Sequence, residues 1–379
     1  MTAVSMTPSR NKPGLWAWLG VTGLLALLGV AAWVLQLQQG IGVTSLSNLS
    51  AWGVYIAGFI FFMGLSAGSL VLASLPILWN LPKLRPYARL SAFVALISLI
   101  IGGLFILVDI GRPERLWRMV RFAQIGSPML WDLLLTVVYL VVATVLLRRL
   151  MTAKSDREVK VVAWVALLAG VAEGLTAFVF ATQVGREFWF SAVQPIAFFT
   201  AGLASAGATL LLLAVALRAA GYAPVDLRDL GQLAGLTAAT LALGMMLTAS
   251  ELVTLTFSRS DSALALVNAM LASPLFWLEI GCGLIAILLL VLPATRRSAG
   301  GLAVSASLAL LSLAFKRAVF VHMGFVIQNI PYAGVTIAPA GTYAPDLVEM
   351  GVVIGLLGLF GFLLALGANN LRLIEAPKN

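Results

Sequence analysis

The chain has 379 residues, 61% of them hydrophobic and 10% charged, with a formal net charge of +9 and a mean hydropathy of +1.03. That balance excludes a soluble domain, which needs more polar surface, and the alternation of a membrane barrel is absent; the basic residues sit in short loops between apolar runs, against nucleic-acid binding. One cysteine, Cys282, and one histidine, His322, cannot by themselves ligate an Fe–S cluster, a bis-imidazole haem or a zinc site, so no metal centre is expected in this chain.

In chain order, a short basic N-terminus with Arg10 and Lys12 leads into an apolar run at about 15–37. The run is too long for a signal-peptide core and lacks a clear small-x-small cleavage site, so it reads as a retained first span. Nine further spans are predicted at about 52–78, 89–109, 130–149, 160–182, 191–218, 235–257, 274–292, 301–321 and 348–368. The fold class is therefore an all-α integral membrane protein of about ten helices. With the N-terminus inside, 16 Lys and Arg lie on the inner side and six on the outer, which predicts both termini in the cytoplasm. The outer six are Arg112, Arg115, Arg118, Arg121, Arg186 and Arg259; Lys316 and Arg317 fall within a span. Four of those six crowd into residues 112–121, where orientation cannot explain them.

Short motifs recur. "SAG" stands at Ser66–Gly68 in span 2 and Ser205–Gly207 in span 6, and "SPMLW" (Ser127–Trp131) at span 4 is echoed by "SPLFW" (Ser273–Trp277) at span 8. The separations of 139 and 146 residues, in the same order, suggest that spans 2–5 and 6–9 are parallel copies of a four-helix unit. The expected division is 1–50 (N-terminus and first span), 51–185 (first bundle), 186–325 (second bundle) and 326–379 (outer loop, last span and tail). The small residues of "GLSAGS" and "GLASAGA" read first as helix-packing surfaces.

Ionisable groups in spans are costly and mark candidate functional positions. They are Glu173, Glu251, Glu279, Lys316, Arg317 and Glu349, with His322 just beyond span 9 and Asp109 and Asp132 at outer helix ends. They fit either a buried charge network that fixes packing or a proton route through the second bundle. Asp132, Trp131, Trp52 and Tyr55 also have ordinary explanations in helix dipoles and the interfacial aromatic belt.

"WGVYIAGFIFFMGLSAGS" (Trp52–Ser69), "DIGRPERLWRM" (Asp109–Met119) and "SPMLWD" (Ser127–Asp132) together resemble the NrfD/polysulfide-reductase membrane-subunit family. "YAPDLVE" (Tyr343–Glu349) and the ten-span count are similar to its longer branch, which includes hydrogenase and alternative complex III membrane subunits. The resemblance implies a quinone-binding anchor, for menaquinone or ubiquinone, in a prokaryotic inner membrane. It implies a respiratory oxidoreductase complex with an Fe–S ferredoxin-like subunit on the outer face and a catalytic subunit, often of molybdopterin type; the chain would not be catalytic alone. Several family sites use a histidine near the start of the first bundle helix, and none stands here. Under this resemblance Asp109 and Asp132 become proton-exchanging candidates. Trp52, Tyr55, Arg112 and Trp131 join them in the quinone site, and Arg115, Arg118 and Arg121 meet the partner or lipid phosphates. Glu173, Glu251, Glu279, Lys316, Arg317, His322 and Glu349 become proton-pathway candidates. The competing expectation is a secondary transporter with parallel repeats. Against it, "DIGR" is one residue short of the major-facilitator loop element and follows span 3 rather than span 2.

Overall fold

The computed structural model describes residues 13–153, 155–174, 177–222, 225–258, 260–327 and 343–374. Arg10, Lys12, Lys154, Arg259 and Lys378, whose charges bear on the predicted orientation, lie outside the described residues. The helices are α1 (Pro13–Gln39), α2 (Val54–Leu78), α3 (Ala88–Asp109), α4 (Trp117–Arg121), α5 (Pro128–Thr152), α6 (Asp156–Gly174) and α7 (Phe178–Ala181). They continue with α8 (Gln194–Ala219), α9 (Leu230–Phe257), α10 (Asp261–Ala272), α11 (Pro274–Val291), α12 (Pro293–Arg296), α13 (Ala299–Val326) and α14 (Leu347–Asn370). Among the described residues, ten helical segments are long and apolar enough to cross a membrane, all within a few residues of the predicted spans, with α6 and α7 together forming the fifth. The loops after α1, α3, α7 and α9 share one end of the molecule, the upper end. Helix α10, a 12-residue apolar helix folded back at that end, is not among the predicted elements.

The two copies are visible as two rings of packed helices. In the first, α2 packs on α3 and α6, and α5 on α3 and α6; in the second, α8 packs on α9 and α13, and α11 on α9 and α13. The repeated "SPxxW" motif explains itself at the start of α5 and α11. Ser127 and Ser273 hold nearly the same extended backbone (φ −82°, ψ 121° and φ −80°, ψ 120°), and a proline follows at the first helical position, where its missing N–H costs nothing. Trp131 then donates its indole N–H to the Ile125 carbonyl at 2.7 Å, and Trp277 to the Leu271 carbonyl at 2.8 Å. Each tryptophan ties its helix to the incoming chain six residues back.

The small-residue motifs join the two rings. At the crossing of α2 and α8, Gly68 lies against the Gly202 carbonyl, and a Cβ on Gly202 would come within 2.6 Å of the Gly64 carbonyl. Only glycine permits that approach. The copies differ in how they are filled. Helix α11 buries Phe276, Glu279, Gly283, Ala286 and Leu290 down its whole length. Helix α5 buries only Tyr139, Ala143 and Leu146, all in its lower part, where Tyr139 donates to the Ser66 carbonyl at 2.7 Å. The upper half of α5 therefore stands away from its ring.

Helices α1 and α14 pair with each other, and α14 leans on α3. At the upper end of α3, "DIGRP" is a chain reversal. The Gly111 N–H returns to the Val108 carbonyl at 3.2 Å, Gly111 takes φ +68°, and Pro113 opens a short 3-10 turn. The glycine supplies the left-handed backbone that ends the helix.

Candidate site at the upper end of the first bundle

Where α5 splays, the first ring encloses a cavity of about 260 Å³. Its walls follow from helical spacing: Leu99, Gly103, Ile106 and Ile110 share one face of α3, and Met129, Asp132, Leu133 and Thr136 share one face of α5. Ile56 and Ile60 close it from α2, Trp52 from the segment just before α2, Glu173 and Phe180 from α6 and α7, and Phe198 from α8. The lining is apolar apart from Asp132, Thr136 and Glu173. Thr136 donates to Glu173 Oε1 at 3.1 Å. Trp52 is held by stacking on Trp189, with ring centroids 5.2 Å apart, and by edge contacts with Phe180 and Phe325. Trp189 in turn donates its indole N–H to the Phe320 carbonyl at 2.9 Å, so the wall is fixed from behind.

Tyr55 and Asp109 fall elsewhere, in the seam between this ring and the α1–α14 pair. Tyr55 is fully buried and donates to Gln36 Oε1 at 2.9 Å, and the Gln36 amide donates to the Val108 carbonyl at 3.1 Å. Asp109 Oδ1 is buried and accepts no hydrogen bond among the described residues. In the same seam, the fully buried Glu349 accepts from the Tyr343 hydroxyl (2.7 Å), the Asp346 N–H (2.9 Å) and the Ser45 N–H (3.2 Å). Tyr343 meanwhile accepts from the Val54 N–H at the start of α2 (2.9 Å), and burial raises its phenol pKa well above the ordinary value. This chain of bonds ties the starts of α2 and α14 and the 40–50 loop into one corner.

A third polar group lies inside the second ring. Lys316 pairs with Glu279 at 3.3 Å and also bonds Thr248, and Gln194 donates to Glu251 at 2.7 Å. These residues and Arg317 surround a small space of about 30 Å³. Arg317 stacks over the Phe198 ring at 4.0 Å and donates to the Phe198 carbonyl at 3.4 Å. Phe198 thus has one cavity on each side. His322 lines neither space and is half-buried on α13.

Of the six residues expected at a quinone site, Trp52 and Asp132 line the larger cavity, and Tyr55 and Asp109 lie in the seam. Trp131 stands on the outside of α5 at 54% exposure, and Arg112 is exposed. Arg115 lies in the 3-10 turn, whereas Arg118 and Arg121 lie on α4, both within 6 Å of the Trp117 ring. Thr136, Phe180, Phe198, Gln36 and Tyr343 were not among the expected site residues. Thr136, one helical turn after Asp132, carried a readable signal; the aromatic walls had none, because phenylalanine in a span is unremarkable.

Residues 42–329 match the family described as polysulphide reductase, NrfD. Over 96% of the chain, a Halobacterium salinarum protein provisionally named as the membrane component of a dimethyl sulfoxide reductase is 32% identical, with 92% of its own length covered. A selenate reductase component from Mesobacillus selenatarsenatis is 29% identical over 51% of the chain and 54% of its own length. The Hdr-like menaquinol oxidoreductase integral membrane subunit of Archaeoglobus fulgidus is 28% identical over 51% of the chain and 48% of its own length.

Proposed function

Since the chain belongs to the NrfD polysulphide reductase family, we propose that it is the quinone-binding membrane subunit of a reductase complex, with the quinone ring in the cavity of the first bundle. The observation that carries this reading is the cavity itself. It is apolar, walled by held aromatic rings, and broken by two carboxylates and a hydroxyl, Asp132, Glu173 and Thr136. Bound there, a quinone would supply two-electron, two-proton redox chemistry at its ring oxygens.

The chain's own residues provide what that chemistry needs. Trp52 and Phe180 offer flat apolar faces, and the rings behind Trp52 keep that face in place. Asp132 is the proton-exchanging group, because it lines the cavity and sits near its upper mouth. Asp109 lies away from the cavity, in the seam near Tyr55 and Glu349. Glu173, oriented by Thr136, holds the second proton position deeper in the cavity. Exposed arginines at the upper end suit a docked Fe–S subunit above the cavity, with a catalytic subunit beyond it; this side is then extracytoplasmic. The Lys316–Glu279 and Gln194–Glu251 pairs across Phe198 give protons a polar way into the second bundle.

The test is Asp132→Asn in the complex purified from its own membranes in mild detergent. Quinol-linked turnover should fall by about a hundred-fold or more, the usual scale for a lost acid–base group, while the co-purifying subunits and extractable quinone stay at wild-type amounts. Wild-type turnover in that variant, or a complex without bound quinone, would overturn the reading.

A further inference from the structure

The cavity is too small for a whole membrane quinone. Its volume of about 260 Å³ falls below the roughly 300–1,000 Å³ of pockets that enclose drug-sized ligands. A ring fits, and a polyprenyl tail must leave. A second, more open groove of about 450 Å³ runs along the outside of the ring between α5 and α6–α7. The two spaces share Asp132 and Val179. The groove's rims are Trp131 and Phe178, at 54% and 53% exposure, and Leu135 and Ala172 lie between them. The Trp131 ring is pinned by its bond to the Ile125 carbonyl, so that rim is fixed.

From this continuity we propose that the α5/α6–α7 groove is the binding track of the quinone's polyprenyl tail and the door by which the ring enters from the bilayer. The proposal rests on the quinone reading above. Two features favour this side. The upper half of α5 buries no side chain, so apart from the Thr136–Glu173 bond little packing holds it across the groove. Beyond the groove α5 presents Leu134, Val137, Val138 and Val141, all exposed in the chain and suited only to lipid. The entering ring passes Asp132 at the threshold, which places the proton-exchanging carboxylate beside the ring oxygens before the tail has settled. In the second copy the corresponding helix, α11, buries side chains along its whole length.

The experiment uses the native complex in its own membranes. Ala172→Trp fills the groove without touching the cavity, and Leu168→Trp, on the exposed face of the same helix at 66% exposure, is the control. Turnover is measured with the full-length polyprenyl quinol of those membranes and with a short-tailed quinol. Ala172→Trp should lower kcat/KM for the long-tailed quinol by about tenfold, mostly through KM, and leave the short-tailed quinol within about twofold; the control should match wild type with both. Equal loss for both quinols, or loss for neither, would overturn the door while leaving the quinone site standing. A quinone bearing a diazirine on its tail gives a readout that needs no variant. Label on peptides carrying Trp131, Leu135, Ala172 or Phe178 is expected, and label confined to other helices overturns the proposal. Wild-type membranes that turn over neither quinol would overturn the quinone reading itself.

Discussion

Asp109 and Asp132 look alike in the sequence, each an acid at the end of a span beside a conspicuous motif. The packing separates them: Asp132 shares a helix face with Met129, Leu133 and Thr136 on the cavity, whereas Asp109 lies near Tyr55 and Glu349 in the seam. Helical spacing could group Asp132 with Thr136, but no spacing reveals which neighbour a helix end will meet. Glu349 shows the same limit. As an acid three residues after Asp346 it is legible as part of a capping box, yet its bonds to Ser45 and Tyr343 join segments 304 and 6 residues away. Those bonds use both carboxylate oxygens, which glutamine cannot replace with its single acceptor. Glu349→Gln should therefore destabilise the corner by about 1–3 kcal/mol, the cost of leaving a buried donor unpaired. Thermal unfolding of the purified complex reads this as a lowered Tm, and an unchanged Tm would show that the corner does not depend on the carboxylate.

Unlike the shorter α10, the spanning helices were legible, because a helical span must be long and apolar to satisfy its backbone in lipid. So was the duplication, since "SPxxW" encodes a local device whose serine, proline and indole do the same work twice. What could not be read was that α5 would splay and α11 would not. That depends on what fills the space between helices: in the second copy Phe276, Lys316, Glu279 and the buried face of α10 occupy the volume that the first copy leaves open. The small-residue motifs, read as packing surfaces, do lie at a helix contact, and it is one that joins the two copies. Gly68→Val would drive a branched side chain into the Gly202 backbone, a strain of about 1–3 kcal/mol by the usual scale of overpacking. The expected result is lower thermal stability, with a smaller effect for Gly68→Ala. Equal stability of Gly68→Val and wild type would mean that α2 and α8 stand further apart than this crossing requires.

At the scale of the whole molecule, the cavity, the seam and the exposed arginines at 112–121 all lie toward the upper end. The arginines at 112–121 oppose the charge bias of the other loops, and their setting explains what they can do. Arg118 and Arg121 lie over the Trp117 ring at 5.9 and 5.6 Å, and Trp117, Phe122 and Ile125 are 52%, 67% and 78% exposed. Guanidinium groups braced on exposed rings make a surface that is cationic and apolar together, the composition expected of a docking face for an acidic protein. Lipid phosphates would use the charge and not the specific arrangement. Reversing both charges, Arg118→Glu with Arg121→Glu, should separate these roles. A docked acidic subunit would then meet like charge, so its yield in the purified complex should fall several-fold at low salt. In the wild type the same association should weaken as ionic strength rises, since charges more than about 10 Å apart are screened at 0.1 M salt. Membrane content of the chain should not change, because ten apolar spans hold it there. Wild-type yields of the partner from the double variant at every salt concentration would assign the arginines to lipid and move the docking face elsewhere on the upper end.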